Sequence, residues 1–121
     1  MAGNNIIVAA SIEPKVIRSA YLPITTEAAQ YTVPASTSVK VATATITNVT
    51  ASAVTVSLSV VPAGGSLDGT HRVLNSYSLP ANDTLELSFL KGAMLGPGDF
   101  IGGLAGTASA VVLVLTATVH S

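Results

Sequence analysis

Residues 47–65, TNVTASAVTVSLSVVPAGG, carry the pattern that decides the fold. Every second position from 54 to 60 is apolar, namely Val54, Val56, Leu58 and Val60. The polar positions between them are Thr55, Ser57 and Ser59. A period of two predicts a β-strand that buries one face. The proline and the two glycines at the end of the stretch predict a turn, which argues against a long membrane helix here.

Comparable segments recur along the chain, separated by proline, glycine, asparagine and aspartate. They are rich in valine, isoleucine and threonine, whose branched side chains favour a pleated sheet. Their ranges are 5–11, 15–21, 29–33, 38–47, 53–61, 72–79, 83–90, 100–104 and 108–120. Eight or nine strands punctuated in this way predict an all-β fold, a single antiparallel β-sandwich that is jelly-roll-like.

Three segments carry more specific predictions. Residues 38–47 move their apolar positions from odd to even numbers, which predicts either a bulge or a strand covered on both faces. Residues 111–115 are apolar at every position, so we predict a central strand whose outer face another chain covers. Residues 83–90 alternate, and the side chains predicted to point inward are Leu85, Leu87 and Phe89.

The composition fits one domain with little charge on its surface. The chain has 121 residues, an ordinary size for a single domain, so residues 1–121 are assigned to one sandwich. Charged residues make up 9% of the chain, where about 25% is ordinary. The net charge of −1 predicts neither a nucleic-acid partner nor an anionic membrane. The scarcity of charge predicts instead that much of the surface meets other protein.

Disulfides, a signal peptide and a membrane span are not predicted. The chain has no cysteine, so neither a disulfide nor a thiolate metal site is expected. The most apolar stretch, residues 108–115, is eight residues long, whereas a membrane-spanning helix needs about twenty. The apolar amino-terminal stretch follows no basic residue, which argues against a signal peptide.

Residues that carry site chemistry are few and poorly spaced. His71 lies close to Asp68 in sequence, but His120 is next to the last residue and no HExxH-like spacing occurs. We predict no metal, no cofactor and no catalytic residue, and hence no enzyme. Residues 91–106, KGAMLGPGDFIGGLAG, lack a phosphate-loop pattern. The Pro97-Gly98 pair within them predicts a turn followed by a bent strand.

Two asparagines and three tyrosines are candidate carbohydrate sites. Asn48 and Asn82 each fit the glycosylation pattern, but both are predicted to be turn residues. Three tyrosines are candidates for a glycan or partner platform, and they are Tyr21, Tyr31 and Tyr77. Tyrosines more often close the ends of a sandwich, so the ligand role is the weaker of the two.

Two longer stretches carry a family resemblance. Residues 31–65 begin with YTVP and run through the alternating strand into VPAGG. Residues 79–119 contain L-x-x-x-D-T and L-x-P-G-D-x-I patterns before a valine-rich last strand. Together these stretches resemble small β-sandwich virion structural proteins of tailed bacteriophages, the head decoration and tail-associated accessory proteins. The resemblance covers roughly residues 30 to 119.

The resemblance implies a non-enzymatic structural protein of a phage virion. A capsid decoration protein, which stabilises the head lattice, is the favoured role. Its partners would be the major capsid protein or other virion proteins, and it would form a homo-oligomer, with a trimer favoured. It would be made in the host cytoplasm and lie on the outer surface of the head. A neck, tail or fibre subunit is the alternative, and a carbohydrate-binding β-sandwich module is the second.

Two segments are predicted to contact those partners. Residues 1–14 are predicted to form an amino-terminal docking arm, whose contact residues are Ile6, Ile7 and Val8. The uncharged polar face of the alternating strand is the other candidate interface, formed by Thr55, Ser57 and Ser59.

Overall fold

The computed structural model describes residues 12–24 and 26–120, and the described part contains nine β-strands. They are β1 (Ile12–Tyr21), β2 (Ala28–Thr32), β3 (Ser38–Asn48), β4 (Val54–Val61), β5 (Arg72–Leu79), β6 (Thr84–Glu86), β7 (Met94–Leu95), β8 (Phe100–Ala105) and β9 (Val111–His120). A short 3₁₀ turn at Gly69–His71 precedes β5.

The strands form two sheets that pack face to face. Sheet 1 has the order β1, β9, β3, β6, and β7 also pairs with β3. Sheet 2 has the order β2, β8, β4, β5, and every strand pair in both sheets is antiparallel. Because β6 and β7 share one edge of β3, nine strands fill eight positions. This strand order is that of a jelly roll, and the predicted all-β sandwich is confirmed.

The core between the sheets is aliphatic. Its largest fully buried side chains are Ile46, Leu58, Leu79, Leu87, Ile101, Leu113 and Leu115. Strand β9 lies between β1 and β3 and buries every second residue from Val111 to Val119. Each large aliphatic side chain stabilises the fold by about 1.5–3 kcal/mol when it is fully buried. The position of β9 between β1 and β3 confirms the prediction that residues 111–115 belong to a central strand.

Strand β3 contains the predicted bulge. Its pairing with β9 shifts between Val41 and Thr43, so Ala42 is the extra residue. Ala42 is exposed, while Val41 before it and Ala44 after it are buried. The Thr43 N–H donates to the hydroxyl of Thr116 at 3.1 Å, which satisfies a backbone donor beside the bulge. The shift of apolar positions from odd to even is thus explained by one inserted residue.

Strand β1 includes Glu13 and Pro14, whereas the sequence predicts a break between two strands at these residues. Both residues belong to β1 and pair with Val119 and Thr118 of β9. Proline is tolerated in β1 because it is an edge strand, in which every second N–H points away from the neighbouring strand. Residues 12–14 of the predicted docking arm are therefore part of the sheet, and residues 1–11 lie outside the described residues.

The predicted strand at residues 83–90 is shorter than expected, and the inward placement of Phe89 is wrong. Strand β6 ends at Glu86, and tight turns follow, in which the Leu90 N–H donates to the Leu87 carbonyl at 3.0 Å. The turns shift the side-chain direction, so that Leu90 is buried while Phe89 is 51% exposed. Gly92, with φ of 85°, returns the chain to β3.

Candidate interaction surfaces

The polar face of β4 is largely covered by its own chain. Ser57 and Ser59 are buried, whereas Thr55 is exposed. The Ser57 hydroxyl accepts a hydrogen bond from the Ser76 N–H at 2.9 Å. The Ser59 hydroxyl donates to a Glu27 carboxylate oxygen at 2.6 Å. Contacts within the chain therefore already cover Ser57 and Ser59, and Thr55 is the one residue of the three that is exposed. The contact of this face with a partner stays a prediction.

An ion pair that the sequence did not reveal lies beside Ser59. Arg72 Nη2 is 3.0 Å from Glu27 Oε1, and the Glu27 side chain is nearly buried. Arg72 Nη1 also donates to Asn75 Oδ1 at 2.7 Å. The pair fastens the segment before β2 to strands β4 and β5. Removing either partner would leave the other charge poorly hydrated and would destabilise the fold. The contact therefore contributes to stability.

Residues 62–71 cover another part of the outer face of sheet 2. Gly102 of β8 has no room for a side chain, because a Cβ there would collide with the Leu67 side chain. A Cβ at Gly65 would lie 2.8 Å from Val61 Cγ1. These close approaches place the loop directly on the sheet. One reason for the glycines in residues 91–106 is therefore packing, and nothing in their arrangement indicates phosphate binding.

The predicted Pro97-Gly98 turn is confirmed. Gly98 has φ of 84°, which suits the third position of such a turn, and the Asp99 N–H donates to the Gly96 carbonyl at 3.1 Å. The Asp99 carboxylate accepts hydrogen bonds from the Gly96 N–H at 2.8 Å and from the Ala63 N–H at 2.9 Å. Asp99 thus ties this turn to the turn after β4.

The outer face of sheet 1 has a different character. Residues paired directly across an antiparallel sheet point to the same side. The register gives five rows: Tyr21–Val112–Thr47–Thr84, Ser19–Val114–Thr45–Glu86, Val16–Thr116–Thr43, Pro14–Thr118–Lys40–Met94 and Ile12–His120–Ser38. We call this surface the open face.

The open face is apolar and threonine-rich, and its large side chains reach solvent. The exposed fractions are 48% for Tyr21, 58% for Val16, 64% for Ile12 and 72% for Met94. The hydroxyls of Thr43 and Thr116 are 2.6 Å apart, and those of Thr47 and Thr84 are 3.0 Å apart. Hydroxyls that hydrogen-bond to each other cost less free energy to remove from water than unpaired hydroxyls do. Exposed apolar surface of this extent is typical of an interaction site.

The histidines are not brought together. His120 lies in the last row of the open face, while the His71 N–H donates to the Asp68 carbonyl at 3.2 Å in the 3₁₀ turn. In residues 12–24 and 26–120, no three side chains of His, Cys, Asp or Glu form a cluster that could hold a metal. The Thr70 hydroxyl and N–H donate to Asp68, and these bonds hold the pKa of that carboxyl below its ordinary value.

The three tyrosines lie on three different edge strands. Tyr21 is on β1 of sheet 1, whereas Tyr31 and Tyr77 are on β2 and β5, at opposite edges of sheet 2. Tyr31 packs partly against the core. The structure therefore does not form a shared platform from these rings, and no pocket opens in the described part of the chain.

Asn82 is a turn residue, as predicted, whereas Asn48 is the last residue of β3 and its side chain caps the turn that follows. Asn48 is completely buried, and Asn82 has φ of 54° in the turn before β6. The Asn48 amide donates to the carbonyls of Ser52, Leu79 and Pro80. A glycan could not be attached to Asn48 in the folded protein, because its side chain is fully enclosed.

The remaining predicted contact residues are Ile6, Ile7 and Val8, which lie outside the described residues. Among the described residues, no helix has the length and apolarity to cross a membrane. Comparison with known proteins finds no match to a family model, to a curated protein or to a solved structure.

Proposed function

We propose that this chain is a non-enzymatic structural protein of a tailed-phage virion. Its role is that of a capsid decoration protein, which binds the outside of the head and ties neighbouring capsid subunits together. The open face is the observation that carries the proposal, because a broad apolar surface with little charge suits a subunit that is held in permanent contact with other subunits of an assembly.

The fold and the sequence resemblance support the same role. The jelly roll is the architecture of many capsid domains, although it also occurs in lectins and cupins, so fold alone does not select a function. The sequence patterns YTVP, VPAGG and L-x-P-G-D-x-I add the specific likeness to phage virion proteins. Two of them are turns of this structure, and Asp99 joins them through its carboxylate.

Binding to undecorated heads tests the proposal. Purified protein is mixed with heads or with tails, and each mixture is sedimented and assayed for bound protein. We expect saturable binding to heads at a fixed number of copies per capsid subunit. Binding to tails alone would support the neck or tail alternative, and binding to neither would contradict a virion role.

A second pair of variants tests the predicted contact through residues 1–14. Ile7→Asp is expected to abolish binding to heads, because a charge would enter an apolar contact. Val49→Asp is a suitable control, since Val49 is an exposed aliphatic residue outside the open face. Equal binding by both variants would remove the arm from the proposal.

A further inference from the structure

The open face is arranged so that it complements itself. Its middle row, Val16–Thr116–Thr43, has two rows on each side. We propose that this face binds the same face of a second copy of the chain, about a two-fold axis that runs along the middle row. A two-fold contact uses one patch on both subunits, so each row must suit its mirror row.

The two charges of the open face support this arrangement. In the described rows Lys40 is the only cation and Glu86 the only anion, apart from the titratable His120. Lys40 lies in the row on one side of the middle row, and Glu86 lies in the row on the other side. In the paired copies, the row of Glu86 in one copy faces the row of Lys40 in the other. Glu86 lies one strand away from Lys40, which is a sideways offset of about 4.8 Å. Long side chains bridge this offset across sheets about 10 Å apart.

Neither charge is paired with another residue in the described part of its own chain. The ion pairs among the described residues are Lys15 with Glu13 and Arg72 with Glu27. Lys40 and Glu86 are both exposed. Because the two-fold axis creates the Lys40 to Glu86 contact twice, charge complementarity is doubled in the pair of copies.

The apolar ends of the open face are complementary as well. The axis places Tyr21, in the first row, opposite Ile12 in the last row of the other copy. Both side chains are about half exposed or more in the single chain. An aromatic ring against an aliphatic side chain removes apolar surface from water without burying a charge.

The size of the face is sufficient for a stable pair. Four strand positions about 4.8 Å apart and ten residues at about 3.3 Å each give about 600 Å² per copy, or about 1,200 Å² in total. Specific interfaces begin near this area, at about 1,200 Å². Sheet 2 offers no comparable surface, since residues 62–71, Glu27 and Arg72 lie over its outer face.

Charge reversal provides the sharpest test, with sedimentation equilibrium of the full chain as the measurement. The wild-type protein is expected to be a dimer at micromolar concentration. Glu86→Lys and Lys40→Glu should each raise the dissociation constant by about tenfold, because two attractions become two repulsions. The double variant should recover wild-type affinity, which a mere folding defect would not do.

A matched pair of valines tests the position of the axis. Val16→Arg introduces a cation in the middle row, where it meets its own copy, so dimerisation should be lost. Val73→Arg is the control, because Val73 is an exposed valine of edge strand β5 in sheet 2. Both variants should retain the wild-type circular dichroism spectrum.

Several results would overturn the two-fold contact. They are a monomer at all concentrations, failure of the double charge reversal to restore affinity, and a trimer that is insensitive to Val16→Arg. A trimer of this kind would use two different patches in each contact. Head binding is measured separately. A monomer that binds heads would refute the two-fold contact and leave the decoration role intact, while a dimer that binds no head would do the reverse.

Discussion

Asn48 is a single buried polar side chain that holds several loop segments together. Its amide donates to the carbonyls of Ser52, Leu79 and Pro80, and its Oδ1 accepts from Thr50. Asn48→Ala should lower the free energy of unfolding by about 2–4 kcal/mol, because buried carbonyls lose their donor. Urea titration measures the loss. Asn82→Gly is the control and should be nearly neutral, since glycine accepts the positive φ at that turn.

The two sides of β4 should respond differently to a carboxylate. Val56 is buried in the core, whereas its neighbour Thr55 is exposed. Val56→Asp is expected to cost several kcal/mol, roughly 3 or more, because the charge has no partner there. Thr55→Asp should change stability by less than about 0.5 kcal/mol. Similar urea midpoints for the two variants would contradict the assignment of faces.

Asp68 provides a prediction about pH. The Thr70 bonds lower the pKa of Asp68 in the folded chain, so they stabilise the fold above the unfolded value of about 3.9. That contribution is lost as the pH falls through the folded pKa. Thr70→Ala should raise the pKa of Asp68 toward its ordinary value, as measured by NMR titration of the carboxyl carbon. Thr107→Ala, at a different exposed turn, should leave the titration unchanged.

Strand β8 is buried although it contains two successive glycines, Gly102 and Gly103. Gly103 faces the core, where a Cβ would lie 2.7 Å from Leu22 Cδ2 and 3.1 Å from Leu58 Cδ2. Gly103→Ala should destabilise the protein by about 1–3 kcal/mol through overpacking. Gly69→Ala is the matched control, because a Cβ there has no atom within 4 Å. A calorimetric melting temperature that is equal for both variants would show that the core has room.

Features that depend on neighbours in the sequence could be predicted, and features that depend on distant residues could not. The alternation of β4, the bulge of β3 and the Pro97-Gly98 turn are local, because side-chain period and turn chemistry act over a few residues. The cover over Ser59 depends on Glu27, which is 32 residues away in sequence. Alternation predicts that Phe89 points inward, but β6 ends at Glu86 and the turns that follow leave Phe89 exposed. The only sequence sign of the open face is the uninterrupted apolar run at residues 111–115, and the rows of this face depend on the strand register.

The fold depends on pairing between the two ends of the described chain. Ile12 pairs with His120, and β9 is flanked by β1 and β3 along nearly all of its length. Contacts of such long sequence separation make folding slow, because the loop entropy must be lost before the contacts form. We expect refolding in milliseconds to seconds after dilution from urea, measured by stopped-flow circular dichroism. Refolding within microseconds would contradict this expectation.

A truncated chain that ends at residue 110 tests the central place of β9. It lacks the strand that supplies Leu113 and Leu115 to the core and joins β1 to β3. Without β9, sheet 1 loses its continuity, and the buried faces of β3 and β4 meet water. The truncated chain should therefore show no cooperative unfolding by urea or heat, whereas the full chain should unfold in one transition. A cooperative transition in the truncated chain would mean that sheet 2 folds alone, and the sandwich would then be two units rather than one.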